Sequence, residues 1–297
     1  MSFDFYLFDV NGGQCAATKL PNGKWCIFDA GKSADFSPVL HVRGLAWTNP
    51  LALLAGLEQP PGLYKATISH LHGDHLADWV NLFNPLPSYF RTVNYDSEYL
   101  RDVVTSSSPD SISLITRFCQ SLQTGFGATT LITDYGGANV REMGLPVTVA
   151  RALGGSANSR VNNASIVSRI DCYGTSILIC GDMETEAWDF ALTNSVDGAV
   201  WSQFVSHIDI LVAPHHGHAS GYSTKLMRLA SPKTVLSSVA SRDPSVDSRY
   251  SIDSVSGLKI GDKFYRSITT RSIGGHISFS ISPPAPGSAK GTRTWSI

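Results

Sequence analysis

The segment 63–75, LYKATISHLHGDH, runs a short apolar and β-branched stretch straight into four side chains of the kind that bind divalent cations. Leu63–Ser69 reads as a strand, bounded upstream by a Gln-Pro-Pro-Gly turn at 59–62. His70 and His72 alternate by two, so on extended backbone they point the same way. Gly73 lets the chain turn, and Asp74 and His75 then reach a second position beside the first. A second cluster, His215-His216-Gly217-His218, follows the strand-like IDILVAP at 208–214. Six of the nine histidines fall in these two windows, where chance would put about 0.3. Asp182 lies two residues beyond TSILIC (175–180) and adds a third strand end. Neutral imidazole and ionised carboxylate are ligands that borderline and hard divalent cations prefer. Three strands running alongside one another in one sheet would bring these side chains to a common rim, where open α/β sheets form sites. The compact HLHGDH loop suits two ions better than one. The plainer alternative makes Asp74 the cap of a helix at 75–83 and Asp182 the cap of one at 184–192.

Outward from these motifs, the N-terminal part reads as a β-meander. FDFYLFDV (3–10), CAATKL (15–20) and KWCIFDA (24–30) are separated by the turn signals NGG and PNG. Helices are expected at Leu51–Leu57, at LADWVNLF (76–83) and at two stretches within 97–123 broken by SSSPD. Strands are expected at LPVTVARA (145–152), ASIVSRI (164–170), TSILIC, IDILVAP, KTVLSSVA (233–240) and HISFSI (276–281). ETEAWDFAL (184–192) and STKLMRLA (223–230) read as helices. Residues 1–282 therefore form one expected α+β domain, and the Pro/Gly/Ser-rich 283–297 a mobile tail.

The 297 residues are 42% hydrophobic and 16% charged, enough apolar material for a substantial core. Lys+Arg total 23 and Asp+Glu 24, so no global basic field draws the protein to nucleic acid or anionic lipid; a polyanion must be gripped locally. No run approaches eighteen apolar residues, and MSFDFYLFDV lacks the basic n-region of a signal peptide. Five scattered cysteines without a CxxC pair argue against a disulfide framework or thiolate zinc site. A reducing cytoplasm is the expected location.

Several segments together resemble one family. FDVNGGQ (8–14), PNGKWCIFDAG (21–31), ATISHLHGDH (66–75), NNASIV (162–167), TSILICGDMETEA (175–187) and ILVAPHHG (210–217) look like the metallo-β-lactamase fold. Within it they are most similar to the C-terminal metallohydrolase domain of the DNA-uptake protein ComEC and its free-standing relatives. The resemblance covers most of the chain and implies an αββα sandwich, two mixed sheets flanked by helices, with a dinuclear metal centre at one edge. It implies His70, His72, Asp74 and His75 as ligands, Asp182 as bridging carboxylate, one of His215 or His216 as the last ligand, and Asp29 as a prop. Many members add a metal-binding His between the two motifs, yet none occurs from Leu76 to Met183 here. Asn163 is expected near the first metal in its place, and His276 is a lesser candidate for the same position. DVNGGQC departs from the family's DVGQGD and puts Asp9 and Gln14 in doubt; His218 falls where relatives often carry Ser. His41 and His207 have no motif context.

Two cations, zinc or manganese, would ionise a shared water and clamp an anionic substrate. Phosphodiester hydrolysis gains most, because both attacking and leaving oxygens are stabilised. Donors are expected from the NNAS segment, the Gly217 amide and Ser220–Ser223, with His215, His216 or His218 protonating the leaving group. Asp74, Asn163, His215, His216 and His218 are thus the catalytic candidates. The leading expectation is a nuclease acting on DNA rather than RNA, with Arg228, Lys233, Arg242, Arg249, Lys259, Lys263, Arg266 and Arg271 as a basic strip. Alternatives are a hydrolase of a carboxylic ester, lactone or thioester, an effector nuclease governed by a partner protein in a defence system, and a non-catalytic metal-stabilised binding protein. A di-iron redox centre would normally show Glu where His72 stands.

Overall fold

Burial alternates along most strands, and that alternation sorts the chain into layers. The computed structural model describes residues 1–46, 63–125, 133–239, 245–252 and 255–297. In chain order the strands are β1 (Phe3–Leu7), β2 (Ala16–Lys19), β3 (Trp25–Phe28), β4 (Lys65–Thr67), β5 (Tyr89–Arg91), β6 (Asn139–Met143), β7 (Val167–Cys172) and β8 (Thr175–Ile179). They continue as β9 (Ile210–Val212), β10 (Thr234–Ser237), β11 (Leu258–Ile260), β12 (Lys263–Tyr265), β13 (Ser267–Thr269), β14 (Ile277–Ile281) and β15 (Arg293–Ser296). One sheet has the order β15-β14-β1-β2-β3-β4-β5, the other β13-β10-β9-β8-β7-β6, and β11 pairs with β12 alone. Both large sheets are mixed. β3, β4 and β5 are parallel neighbours in the first, as are β8, β9, β10 and β13 in the second.

Phe3, Phe5 and Leu7 of β1 are fully buried in one cluster with Ile177, Ile179, Ile210, Val212 and Leu236, so this cluster lies between the sheets. A one-residue slip of β1 would turn Asp4 and Tyr6 into that layer, so burial fixes the register. Leu178, Leu211 and Val235 belong to a second cluster with Trp188, Phe204 and Met227, on the helices Thr185–Thr193, Gly198–Val205 and Thr224–Ala230. Ile27 and Ala66 of the first sheet join Val39, Leu76, Tyr99 and Phe118, from the helices Pro38–Ala46, Gly73–Leu76, Ser97–Ser106 and Pro109–Gly125. The layers are helix, sheet, sheet, helix: the expected αββα arrangement.

Several expectations are corrected. LPVTVARA is not a strand. Its apolar residues at 145, 147 and 149 read as period two, yet the chain buries Val147 and Ala150, three apart, in a helix Val147–Ala152 packed against the helix Ala157–Asn162. The edge of the second sheet is instead β6, a polar strand that no hydrophobic pattern announces. LADWVNLF splits into the short helices Gly73–Leu76 and Trp79–Leu82. The stretch set apart as a tail carries β15, which pairs with β14 and lays Trp295 against Phe279. The expected Leu51–Leu57 helix and its turn lie outside the described residues. No helix among the described residues is long and apolar enough to cross a membrane.

The three motif-bearing strands do not share one sheet. β8 and β9 are parallel neighbours in the second, whereas β4 lies in the first. Their C-terminal ends meet across the sandwich, where the Ile166 amide donates to the Ser69 carbonyl (2.9 Å), while within the second sheet the His215 amide donates to the Gly181 carbonyl (2.9 Å). Gly181 makes that approach possible. Its φ is 56°, and a Cβ there would lie 2.9 Å from the Cβ atoms of both Ser69 and Ser165. Gly181→Ala is expected to cost about 2–4 kcal/mol, from left-handed strain plus overpacking, read as a lower midpoint in chemical denaturation. An unchanged midpoint would show that the rim has slack.

Candidate metal centre

The HLHGDH loop leaves β4 with His70 fully buried and His72 nearly so. His70 Nε2 and His72 Nδ1 converge to 3.0 Å, as side chains two apart on extended backbone should. After Gly73 the chain enters a helical turn, which carries Asp74 and His75 to a second position. There Asp74 Oδ2 lies 3.7 Å from His75 Nε2 and 3.4 Å from His216 Nε2. Asp182 stands between the two groups. Its Oδ1 is 3.2 Å from His75 Nε2, and its Oδ2 is 3.5 Å from His216 Nε2 and 3.9 Å from His70 Nε2. Neither carboxylate serves as the helix cap considered above. His72 occupies the cap position of Gly73–Leu76 and Glu184 that of Thr185–Thr193, neither through a side-chain bond.

The donor chemistry fits divalent cations. His75 Nε2, Asp182 Oδ1 and both ring nitrogens of His216 are buried without hydrogen-bond partners, although His75 Nε2 and His216 Nε2 both lie close to the Asp182 carboxylate. Buried polar atoms in that condition are costly unless something positive lies among them. His70, His75 and Asp182 form one compact potential ligand group, and Asp74, His75 and His216 another. Electrostatics point the same way. Burial alone would raise the Asp182 carboxyl, but the neighbouring His75 and His216 hold it well below the usual range. Burial opposes a charge on His75, yet Asp182, Asp29 and Asp74 push its pKa well up. Burial and the charge at His75 hold His70 well below its ordinary value, keeping its ring neutral.

Behind the ligands lies a support layer. Asp29, buried at φ 61°, accepts the Ser69 amide (2.6 Å), the Ser69 hydroxyl (3.0 Å) and the Gln14 amide (3.2 Å). Its Oδ2 lies 3.0 Å from His75 Nδ1 and fixes that ring with Nε2 toward the site. Asp29 is therefore placed as a prop, and Gln14, in doubt from the sequence, backs it. The Asp74 carbonyl presses on Gly13 and Gly31, where a Cβ would come within 2.4 and 2.5 Å of it. These contacts give the NGG and DAG turns a steric reason.

His215 and His216 both adopt left-handed backbone, φ 50° and 55°, at roughly 1–2 kcal/mol each for such residues. The kink separates their rings. His216 Nε2 joins Asp74 and Asp182, whereas His215 Nδ1 bonds the Ser220 hydroxyl (2.8 Å) and lies 3.6 Å from Glu184. His215 Nε2 still faces Asp182 at 3.9 Å.

A cavity of ≈ 390 Å³ opens over these groups. Its lining includes His72, Asp74, Asp182, His215, His216 and His218 together with Ser106, Ser107, Ser108, Ser111, Asn158 and Asn162. Among the described residues, none that lines it is Lys or Arg. His218 also contacts the Ser245 hydroxyl (3.0 Å). Asn163 is placed differently from the expectation. Its Oδ1 accepts the Glu184 amide (3.0 Å), so it secures the start of a helix, and Asn162 lines the cavity instead. His276 does not fill the missing histidine's place either. It accepts the Asp9 amide (2.9 Å) and stacks on Phe36 beside His41. Ser223 caps the helix Thr224–Ala230. Of the lining serines, Ser106, Ser107 and Ser108 were visible only as the helix break SSSPD. Ser69, which touches His70 Nδ1 at 3.0 Å, gave no sequence signal, whereas Ser165 of the expected donor segment NNAS touches the same nitrogen at 3.3 Å.

No family model and no curated protein matches the chain. Among solved structures it is similar to the metallo-β-lactamase-fold protein YhfI from Bacillus subtilis, at 11% identity and TM-score 0.40 over 80% of this chain and 87% of that one. It is similar to a diphosphatase of the PhnP family, at 10% identity and TM-score 0.41 over 80% and 87%. It is also similar to human tRNase Z, short form, at 14% identity and TM-score 0.38 over 80% and 93%. These likenesses carry nothing about substrate. The layers themselves, two mixed sheets between helices with a site at one rim, are those of an α+β, metallo-β-lactamase-like αββα fold.

Proposed function

We propose that the chain is a metal-dependent hydrolase with a dinuclear centre, and that its substrate is a phosphodiester, DNA foremost. One observation carries this reading: two compact donor groups, His70-His75-Asp182 and Asp74-His75-His216, share His75, are bridged by the reach of Asp182 to His70, His75 and His216, and open on a polar cavity. His70, His72 and Asp182 would hold one cation, and Asp74, His75, His216 and Asp182 the other. Bound there, the pair would supply Lewis acidity for a water nucleophile and for the substrate's anionic oxygen. Asp29 keeps the His75 proton on Nδ1, leaving Nε2 as donor. His215, one-fifth exposed on the cavity wall, is the candidate to protonate the leaving group, with Ser220 orienting its ring. The serines and asparagines of the lining offer hydrogen bonds to a phosphodiester's remaining oxygens.

A lining without Lys or Arg among the described residues favours a single diester group there over a run of phosphates. The expected basic strip gives limited help. Lys233 is paired with Asp209 and Arg249 with Asp247, while Arg242 lies outside the described residues. The same feature supports a second reading, a hydrolase of a weakly charged ester, lactone or thioester.

The deciding experiment is turnover after chelation, with Zn, Mn, Mg and Ni restored singly. Substrates should include single- and double-stranded DNA and RNA, an aryl phosphodiester, a lactone and a thioester. Diester cleavage returning with Mn or Zn is the expected result. Metal-restored lactone or thioester turnover without diester cleavage would select the second reading. Tightly held metal with no turnover would mark a binding protein.

A further inference from the structure

We infer that Asn162, through its side-chain oxygen, is a ligand of the cation held by His70 and His72. The inference rests on the dinuclear reading above and deepens it. The two donor groups are unequal. His75 belongs to both, and where it serves with Asp74, His216 and Asp182 at one position, His70 and His72 are left with Asp182 alone at the other. Zinc-like sites need four donors, one of them open in catalytic cases, so the first position has little to spare. No histidine between Leu76 and Met183 can supply another.

Asn162 is fully buried and lines the same cavity as His72 and Asp182. Its amide orientation is fixed, because Nδ2 donates to Glu184 Oε1 at 2.8 Å. That leaves Oδ1, an acceptor, buried with no partner, the condition shared by His75 Nε2, Asp182 Oδ1 and His216 Nε2. The local turn carries Asn162 toward the site. The Ser165 amide donates to the Asn162 carbonyl (3.0 Å), and the Ser165 hydroxyl touches His70 Nδ1 (3.3 Å) and accepts the Asp182 amide (3.0 Å). A purely structural Asn162 would need only its bond to Glu184 and would leave an orphaned acceptor as waste. A cation accounts for both halves of the amide. An amide oxygen is a harder donor than imidazole, so the first position should tilt toward manganese relative to a three-histidine site.

Metal binding tests this without reference to turnover. The full chain is stripped of metal and titrated with Mn(II) or Zn(II), counting equivalents by calorimetry and, for Mn(II), by spin resonance. Two equivalents are expected for the unaltered protein; fewer than two would sink the dinuclear reading and this assignment with it. With two present, Asn162→Ala should weaken one equivalent by at least ~10-fold and leave the other unchanged. Asn162→His should shift that equivalent's preference from Mn toward Zn by ~10-fold or more. Thermal melting of the metal-free variants reports any loss of folding. Should Asn162→Ala fail to fold, Asn162→His alone decides. Unchanged affinities in the folded variants, with two equivalents still bound, would overturn the assignment while leaving the dinuclear centre intact.

Discussion

Asp182→Ala is expected to abolish metal-dependent turnover, a loss on the order of 10³-fold or more, because this one carboxylate serves both donor groups. Its two oxygens reach His75 at 3.2 Å on one side and His216 at 3.5 Å and His70 at 3.9 Å on another. No other carboxylate among the described residues spans both; Asp74 reaches only His75 and His216. Its removal also takes away the largest favourable charge opposing burial at His75, so that ring's raised pKa should fall. Both metal equivalents should weaken together, in contrast to Asn162→Ala, where one is spared. Asp182→Asn separates charge from shape: it keeps the volume and one oxygen, and should retain part of the binding but little turnover. Because Asp182 is already surrounded by polar groups, the fold should survive either change. A variant with intact metal-dependent cleavage would show that the strand-end site is not the catalytic one.

What the sequence reveals about this site divides by how local the information is. HLHGDH is legible because strand periodicity and one glycine place all four side chains within six residues. The choice between His215 and His216 is not local in that sense. It depends on two consecutive left-handed residues, which packing of the Gly181 carbonyl and the Ser220 hydroxyl against this turn helps to hold. Asn162 and Asn163 are likewise neighbours at a helix end, about 100° apart around its axis, and only tertiary packing decides which faces the cavity. Sheet membership of β4 rests on pairing with β3, 39 positions away from Cys26 at Lys65, across a segment whose apolar pattern reads only as a helix. The polar edge strand β6 and the helix at 147–152 were hidden for separate reasons. An edge strand need not bury both faces, and two buried residues three apart can override a β-branched pattern.

The largest effect on stability should come from Glu142, a residue no motif singled out. It sits on β6 with its side chain 3% exposed, and receives the Lys65 ammonium at 2.8 Å and the Thr67 hydroxyl at 2.6 Å, both from β4 in the opposite sheet. Arg91 of β5 and Ser168 of β7 donate to it at 3.2 and 3.3 Å. This clasp joins β4 and β5 of the first sheet to β6 and β7 of the second, with Thr67 three residues before His70. Lys65 is as buried as its partner, so Glu142→Ala strands an ammonium with only the Tyr89 ring, 4.5 Å away, for company. Breaking a buried pair by removing one partner costs about 3–5 kcal/mol, since the remaining charge keeps its desolvation penalty. At about 2 cal/mol/K of unfolding entropy per residue, that is a fall in Tm of roughly 5–8 °C for a chain of this length. The double variant Lys65→Met with Glu142→Leu should recover most of the loss, because replacing both charges removes the penalty along with the attraction. Calorimetry on the three proteins checks the argument. A double variant no more stable than Glu142→Ala would mean that the bonds to Thr67, Arg91 and Ser168, rather than charge burial, hold the sheets together there.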